Sequence, residues 1–332
     1  MLPALLLALA VAWPGSAQTR PASDRADDRP VLRSVIDNDE FVGLNKNDRW
    51  YSSGVVIMHD QADQGMPDGL AARLPCAPDA APELQARRGW AFGQVIGMQN
   101  RRDLATVAGN DRPIGALLWL SHLRARFSPR ADAGWALSLG TTGPAALGEP
   151  VQNGLHRMLG VQEVTTWDHQ LRPRTGVELR VHCQHRRPLT DGQGLVLGGG
   201  WELVLGNRFS QLEAQVSLAL GPAAAQMRPV REARLAWPTP PLTRGWAVIA
   251  GMRLRLVARD GLLDGATYRY DNAIEARPLV GEVFIGAQWR ASRLWQIGYG
   301  AVHRTMDFNG PGVREARYEP QTFGQLTVSL SF

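Results

Sequence analysis

The sequence predicts an all-β protein, a transmembrane antiparallel β-barrel of about twelve strands with a short helix in an extracellular loop. Three observations predict it: an apolar run at Leu2–Trp13 followed by small residues, apolar and polar residues that alternate in segment after segment, and a final alternating segment that ends on Phe332. Beyond the first run, no stretch is apolar enough for a membrane helix. A closed barrel is the other fold in which every backbone N–H and C=O group has a hydrogen-bond partner within lipid.

The N-terminal run divides the chain into three parts. It is too short to span a bilayer and precedes Gly15-Ser16-Ala17, so residues 1–17 are predicted to be a signal peptide, with a buried helix as the alternative. The polar, Pro-containing residues 18–31 are predicted to be a disordered leader. Residues 32–332 form the expected barrel of the Gram-negative outer membrane.

The positive charge is almost entirely arginine. The net charge is +5, and Lys46 is the one lysine among 36 Lys and Arg residues. The arginines are spread along the chain without a nucleic-acid motif, so we expect no nucleic-acid partner. Guanidinium groups suit the phosphates of an anionic lipid, although a codon preference for arginine explains them equally well.

The strands follow from the two-residue period, which is clear at 177–182, 211–220 and 325–332. A soluble sandwich alternates in the same way. The signal peptide and the tryptophans at strand ends favour the membrane, where Trp lies at the interface; these are Trp201, Trp246, Trp289 and Trp295. The predicted strands are 33–42, 49–59, 89–98, 112–126, 132–140, 174–187, 194–206, 210–221, 245–259, 278–291, 294–306 and 320–332.

An even number of strands puts both termini in the periplasm. Two long connections, 60–88 and 222–244, then fall on the periplasmic side as insertions, and the second has room for a further strand pair around 228–237. Cys76 and Cys183 fall toward the same end of the barrel, so a disulfide between them is possible in the oxidising periplasm.

The longest outward loop, 141–173, contains a helix pattern. Pro150 stands near its start and Gly160 just after its end. Gln152 and His156 are four residues apart and therefore share one face. Histidine is a plausible general base because its pKa lies near neutral pH, although a purely structural histidine is the alternative.

The first predicted strand ends in Asp37-Asn38-Asp39-Glu40. Oxygen ligands suit Ca²⁺, whereas the alternative is a solvated acidic strand end. Asn38 and Asp39 are neighbours, so they can serve one site only at a bulge or at the end of the strand. Asp-Arg pairs open two later strands, at Asp48-Arg49 and Asp111-Arg112, and predict ion pairs at the rim.

Taken in order, these motifs resemble the outer-membrane lipid A 3′-O-deacylases of the LpxR type over essentially the whole mature chain. The motifs are Asn38-Asp39-x-Phe41, Asp48-Arg49-Trp50-Tyr51-Ser52-Ser53-Gly54, Asp111-Arg112-Pro113, Gly143-Pro144-Ala145-x-x-Gly148-Glu149-x-x-Gln152-Asn153-x-x-His156, Trp167-Asp168-His169-Gln170-Leu171 and Arg259-Asp260-x-x-Leu263-Asp264-Gly265.

The resemblance implies hydrolysis of the 3′-position ester of lipid A, with release of the 3′-acyloxyacyl group and dependence on Ca²⁺. His156 matches the catalytic base, and Gln152 its neighbour on the helix. Asn38 and Asp39 match the acidic pair, with Asp39 as a metal ligand, and Ser52 stands where the family usually has Thr. The partners implied are lipopolysaccharide as substrate and the outer-membrane lipids; the oligomeric state is left open.

The third strand departs from the family pattern. It has Gly97-Met98-Gln99-Asn100 where relatives tend to have Tyr-Thr-Pro, and a substrate-binding lysine is absent. Arg101 or Arg102 could replace that lysine at the glucosamine phosphates.

The expected reaction is attack by a water that His156 activates beside the first two strands, with Ca²⁺ and hydrogen-bond donors stabilising the oxyanion. One alternative makes Ser52 a nucleophile, with His156 and Asp39 as triad partners. Others are an outer-membrane phospholipase and a non-catalytic barrel, either a small porin or a structural protein.

Overall fold

The computed structural model shows a closed antiparallel barrel of twelve strands. It describes residues 29–42, 50–63, 74, 76, 84–99, 112–190, 194–240, 242, 245–263, 274–290, 292–309 and 320–332. The predicted signal peptide, and the leader up to residue 28, lie outside the described residues. The barrel strands are β1 (Val31–Asn38), β2 (Trp50–Ala62), β3 (Gln85–Met98), β4 (Gly115–Phe127), β5 (Ala131–Thr142), β6 (Arg174–Pro188), β7 (Leu195–Gly206), β8 (Phe209–Leu220), β9 (Gly245–Asp260), β11 (Leu279–Arg290), β12 (Trp295–Arg304) and β14 (Gln321–Ser331).

The first and last strands close the barrel, with Val31 paired to Ser331. The start of β1 and the end of β14 therefore lie at one end of the barrel, the inner end. The outer end, where β1 finishes at Asn38, is the one that the topology assigns to the cell surface. All twelve predicted strands are confirmed in order. Two further strands of two residues, β10 (Glu275–Ala276) and β13 (Phe308–Asn309), pair with each other in the outer-end connections.

Polar side chains point into the barrel and apolar ones point out. On β9, Arg253 and Arg255 are buried, whereas the alternating Met252, Leu254 and Leu256 are about half exposed. A soluble sandwich would have buried its apolar side chains instead. The distribution is that of a barrel surrounded by lipid. No helix among the described residues is long and apolar enough to cross a membrane.

The connection between β8 and β9 corrects one expectation. It contains no strand pair around 228–237; its described part enters the barrel and forms 3-10 turns at Ala224–Gln226 and Ala233–Leu235. We call residues 222–240 the plug. Apolar plug residues such as Leu235 and Trp237 pack in one cluster with wall residues such as Trp119. The apolar side of the insertion is thus buried in the lumen, where a sheet edge would be costly.

Wall arginines hold the plug by its backbone. Arg33 donates to the carbonyl oxygens of Trp237 (3.3 Å) and Thr239 (2.7 Å), and Arg253 donates to the carbonyl of Val230 at 2.8 Å. Guanidinium offers five donors in a planar fork, so one side chain can satisfy several carbonyls and a carboxylate together. This explains part of the arginine excess. From the sequence alone, contacts with lipid phosphates and a codon preference were equally good explanations.

Cys76 and Cys183 form a disulfide, with their Cα atoms 5.6 Å apart. The bond fixes the connection after β2 to β6. Both sulfurs are buried, in a small cluster with Ala133. The possible bridge between the two cysteines is therefore present.

Candidate functional site on the outer face of the barrel

The predicted helix is present as α1 (Gly148–Leu159). Gly160 ends it in the left-handed conformation, φ 69°, where glycine has no steric penalty. Leu147 precedes it with φ 59°, the one described non-glycine residue at positive φ. The backbone therefore turns sharply on both sides of the helix.

Helix α1 lies against the outside of the barrel wall. A buried cluster joins Ile96 and Met98 of β3 and Ala116 of β4 to residues of the 143–173 loop, Val164 and Trp167 among them. Ile96 and Met98 alternate along β3 with lumen-facing residues, so this cluster lies on the opposite surface of the sheet. The expectation that His156 lies beside the first two strands needs correction, because the helix packs over β3 and β4.

A glycine allows the helix to approach the wall closely. A Cβ atom on Gly148 would meet the Trp167 ring at 2.4 Å and the Ala116 methyl at 2.6 Å. Both distances are shorter than any real side-chain contact. Only glycine fits there without moving the helix away from β4.

The helix is amphipathic with its polar face toward the protein. Gln152, Asn153 and His156 are buried, whereas Leu155 is 45% and Met158 75% exposed. Beside a wall that itself exposes apolar side chains to lipid, the apolar helix face meets the same medium. The buried polar face of the helix is therefore enclosed between the helix and the barrel wall.

A backbone contact orients His156. Its Nδ1 lies 2.7 Å from the carbonyl oxygen of Gln162. A carbonyl only accepts hydrogen bonds, so in the neutral ring Nδ1 carries the proton and Nε2 carries the lone pair. Asn153 fixes the returning chain, since its side chain bonds both the carbonyl (3.0 Å) and the N–H (2.9 Å) of Val164. The helix thus presents a ring whose tautomer is set.

Gln152 lies one turn before His156 and reaches the wall. Its Nε2 is 3.1 Å from the sulfur of Met98. Its Oε1 is buried without a hydrogen-bond partner among the described residues, and both amide atoms of Gln99 are in the same condition. Met98 is thus a site residue and Gln99 its buried neighbour, and the sequence marked both only as a departure from the family pattern. No periodicity signals them, because their role depends on the helix that covers β3.

Asn38 and Asp39 satisfy the geometric condition set by the sequence. β1 ends at Asn38, and Asp39 opens a 3-10 turn, Asp39–Val42, so the two side chains are released from strand alternation. The Asn38 amide oxygen accepts the N–H of Glu40 at 2.8 Å, and Asp39 is buried. Asp37 does not join them, because its carboxylate is buried among lumen partners.

Ser52 lies on β2 at an irregularity in the pairing with β3. The register shifts between Tyr51 and Ser53, so Ser52 is the extra residue of a bulge. Ser53 pairs with Asn38 on one side and with Ile96 on the other. Asn38 thus lies beside Ser53, and Ser53 beside Ile96 under the helix, whereas the turn Asp39–Val42 lies mainly against β14.

The remaining predicted site residues fall in the outer loops. Arg101 and Arg102 lie outside the described residues, as do Asp48, Arg49 and Asp111. Arg112 forms an ion pair, but its partner at 3.2 Å is Asp307 in another outer connection. The expected rim ion pair therefore exists for Arg112 and links different loops.

The oxygen atoms at the ends of β1 and β2 are of the chemical type that binds a hard cation. Asn38, Asp39 and Ser52 contribute an amide, a carboxylate and a hydroxyl, and oxygen donors are those that Ca²⁺ takes. The described part of the chain contains no group of three or more His, Cys, Asp or Glu side chains that could hold a metal. A calcium ion here would need amide, hydroxyl and backbone oxygens beside one carboxylate.

The comparison with family models identifies the family. The model described as "Outer membrane protein LpxR" matches residues 2–332. This chain belongs to the LpxR family of outer membrane proteins. Membership supports lipid A deacylation as its type of activity and the outer membrane as its location. The search of curated proteins returned no match.

Solved structures agree on the fold. LpxR from Salmonella typhimurium superposes with a TM-score of 0.72 at 18% identity, covering 91% of this chain and 100% of that one. The β-domain of the Bordetella autotransporter BrkA gives a TM-score of 0.46 at 12% identity, covering 92% of this chain and 99% of that one. At 18% identity, the likeness to the LpxR structure concerns the fold alone. The likeness to BrkA is too weak to support any conclusion.

Proposed function

We propose that this LpxR-family protein hydrolyses the 3′-position ester of lipid A, with His156 as the general base. The observation that carries the proposal is the buried imidazole whose Nδ1 is bonded to the Gln162 carbonyl, on the helix face turned to the wall. That contact leaves Nε2 as the basic nitrogen. A histidine held in this way has the tautomer that general-base catalysis requires.

The reaction needs no cofactor to balance. Nε2 of His156 takes a proton from water as the water oxygen attacks the ester carbonyl. The tetrahedral intermediate then collapses, the bond to the sugar oxygen breaks, and the imidazolium returns the proton to that oxygen. The products are the free 3′-hydroxyl and the released acyloxyacyl carboxylic acid.

The apolar face of α1 supports access from the membrane. Leu155 and Met158 face away from the barrel wall, and in this proposal they would contact the acyl chains of the outer leaflet. The substrate's chains would remain in lipid while the ester enters between helix and wall. No acyl chain then has to cross water.

The other site residues take positioning roles in this proposal. The side-chain amide of Gln152 would donate a hydrogen bond to the substrate or accept one from it. Arg101 and Arg102 would bind the phosphates of the substrate. Asn38, Asp39 and Ser52 would hold a calcium ion or the water. A bound Ca²⁺ would supply positive charge to the developing oxyanion.

The filled lumen weighs against a porin. Trp237 and Leu235 of the plug are buried, and wall arginines bond its backbone. A phospholipase remains an alternative because it would use the same base. A Ser52 nucleophile remains one too, although Ser52 is on β2 whereas the helix packs over β3 and β4.

Mass spectrometry of lipid A tests the proposal. Cells that express the protein should yield lipid A lighter by the 3′-acyloxyacyl group, and purified protein should do the same in Ca²⁺ but not after chelation. Phospholipid vesicles form the second arm. Unchanged lipid A together with released phospholipid acyl chains would replace this proposal with the phospholipase, and no change in either would favour the non-catalytic barrel.

A further inference from the structure

The plug reaches the wall directly behind the acidic strand end. Its 3-10 turn Ala233–Leu235 packs against the lumen side of β1, β2 and β3. Gly54 of β2 makes room, since a Cβ there would come within 3.1 Å of the Ala233 methyl. At their outer ends these three strands carry Asn38, Ser52 and Met98, respectively.

The buried carboxyl group of Asp37, on β1, joins the plug to the neighbouring strands β2 and β14. Asp37 accepts the Tyr51 hydroxyl at 2.8 Å and the Gln325 side-chain amide at 2.8 Å, and it also accepts the backbone N–H of Ala233. Asp37 is completely buried. A buried carboxyl group that loses one of its hydrogen-bond donors is costly, so the three contacts together hold the turn against the strands.

The plug residue before Ala233 is anchored to β12, which lies two strands from β1 in the barrel wall. Glu232 forms an ion pair with Arg304, whose guanidinium lies 5.9 Å from the centre of the Tyr51 ring. Burial alone would raise the pKa of Glu232, but Arg304, Arg234 and Arg255 outweigh it and hold that pKa well below its usual range. The carboxylate is therefore charged at neutral pH, and the turn is held at two successive residues, Glu232 and Ala233.

Sequence adjacency carries this clamp to the outer face. Asp37 is followed by Asn38 and Asp39, and Tyr51 is followed by Ser52. Because Asn38 directly follows Asp37 and Ser52 directly follows Tyr51, contacts that fix Asp37 and Tyr51 from the lumen also restrain the backbone of the strand end and of the bulge. The ends of β1 and β2 would otherwise be free to fray, since each leads into a loop.

We propose that Asp37 and Tyr51, held by the plug turn at Ala233, are positioning residues that fix Asn38, Asp39 and Ser52 from inside the barrel. The role assigned to those three rests on the proposed deacylase function; the clamp itself does not. The plug then has a second task besides filling the lumen, which is to stiffen one short stretch of the outer rim.

Tyr51→Phe tests the clamp because it removes one hydroxyl from Asp37 and retains the ring. Hydrogen exchange in detergent, followed by mass spectrometry, should show amides of 38–42 and 52–54 opening about 10-fold faster. The kcat for lipid A should fall about 10-fold with KM nearly unchanged, because misplaced catalytic groups slow the chemical step more than binding.

Ser138→Ala is the matched control. Ser138 also forms a buried side-chain hydrogen bond in the barrel, 2.7 Å to Ser121, but on β4 and β5. It should leave exchange at 38–42 and kcat at wild-type values. Unaltered exchange in Tyr51→Phe, or an equal loss in Ser138→Ala, would overturn the proposal.

Ala233→Pro covers the case in which Tyr51→Phe does not fold. It removes the N–H that Asp37 accepts, and Glu232 (φ −52°, ψ 147°) already has a backbone that proline tolerates after it. The same local exchange increase is expected, and its absence would overturn the clamp. If the wild-type protein leaves lipid A intact, the deacylase proposal fails, and the exchange measurements still decide on the clamp.

Discussion

At the residue scale, Gln152 separates a functional role from a structural one. Its Oε1 is buried with no partner among the described residues, and such a group costs stability of about 1–3 kcal/mol. Gln152→Met removes that cost and keeps the volume. We therefore expect unchanged or higher thermal stability, with kcat/KM for lipid A lowered roughly 10- to 100-fold.

Thermal unfolding and kinetics of the purified variant measure both effects. Arg157→Ala, at a 62% exposed side chain of the same helix, should change neither. A Gln152→Met protein with full activity and reduced stability would show that the amide supports the fold alone.

Ser52 distinguishes the two hydrolytic mechanisms. If it positions a water or a cation, Ser52→Thr should retain most activity because the hydroxyl remains, and Ser52→Ala should reduce activity without abolishing it. Complete loss in Ser52→Ala, with an acyl group found by peptide mass spectrometry on Ser52 of the wild type, would establish covalent attack.

Single residues were predictable where a local rule applied. The sequence required a strand end or bulge to bring Asn38 and Asp39 together, and β1 ends between them. Met98 was not assigned a role, because only the tertiary fold places it beside Gln152. The separation of Asp37 from its neighbours followed from the parity of β1, which the cluster of acidic residues obscured.

At the scale of elements, the position of α1 depends on its first glycine. Gly148→Val would push the helix away from Ala116 and Trp167. A displacement of 1 Å in an active site can cost about 100-fold in rate, so we expect at least that loss of deacylation while the barrel still folds.

Gly154→Ala provides the control within the same helix. A Cβ at Gly154 would meet nothing within 4 Å, and alanine favours a helix by about 1 kcal/mol over glycine. Activity should therefore be retained. Activity unchanged in Gly148→Val, measured by mass spectrometry of lipid A, would contradict close packing of helix and wall as a requirement.

The helix itself was predictable from Pro150 and Gly160, but its orientation was not. An amphipathic pattern gives two faces without saying which is buried. In water the apolar face would be inside; here the barrel wall and the lipid reverse that rule, and His156 and Gln152 turn inward.

At the scale of the whole molecule, the barrel is a filled scaffold. The plug occupies the lumen, and buried ion pairs such as Arg253–Glu282 (2.5 Å) and Arg304–Glu282 (2.7 Å) surround it. The purified protein should thus give no ion conductance in planar bilayers. Replacing residues 222–240 with a short Gly-Ser connection should open a conducting path, whereas steady conductance by the intact protein would contradict a closed lumen.

The twelve strands were predictable because alternation is dictated locally by the two sides of the wall. The course of residues 222–240 was not, since the sequence shows only that a long connection leaves the inner end. Whether such a segment remains outside or enters the lumen depends on the arginines and apolar residues of many separate strands.

The activity of a His156→Asn variant toward lipid A, beside His303→Asn as a substitution of the same kind on the outer surface of β12, tests the general-base proposal most directly. With both proteins folded, as judged by heat-modifiable migration on gels, we expect His303→Asn to release the 3′-acyloxyacyl group at the wild-type rate and His156→Asn to release none. Deacylation by His156→Asn at a comparable rate would contradict the assignment of His156 as the base.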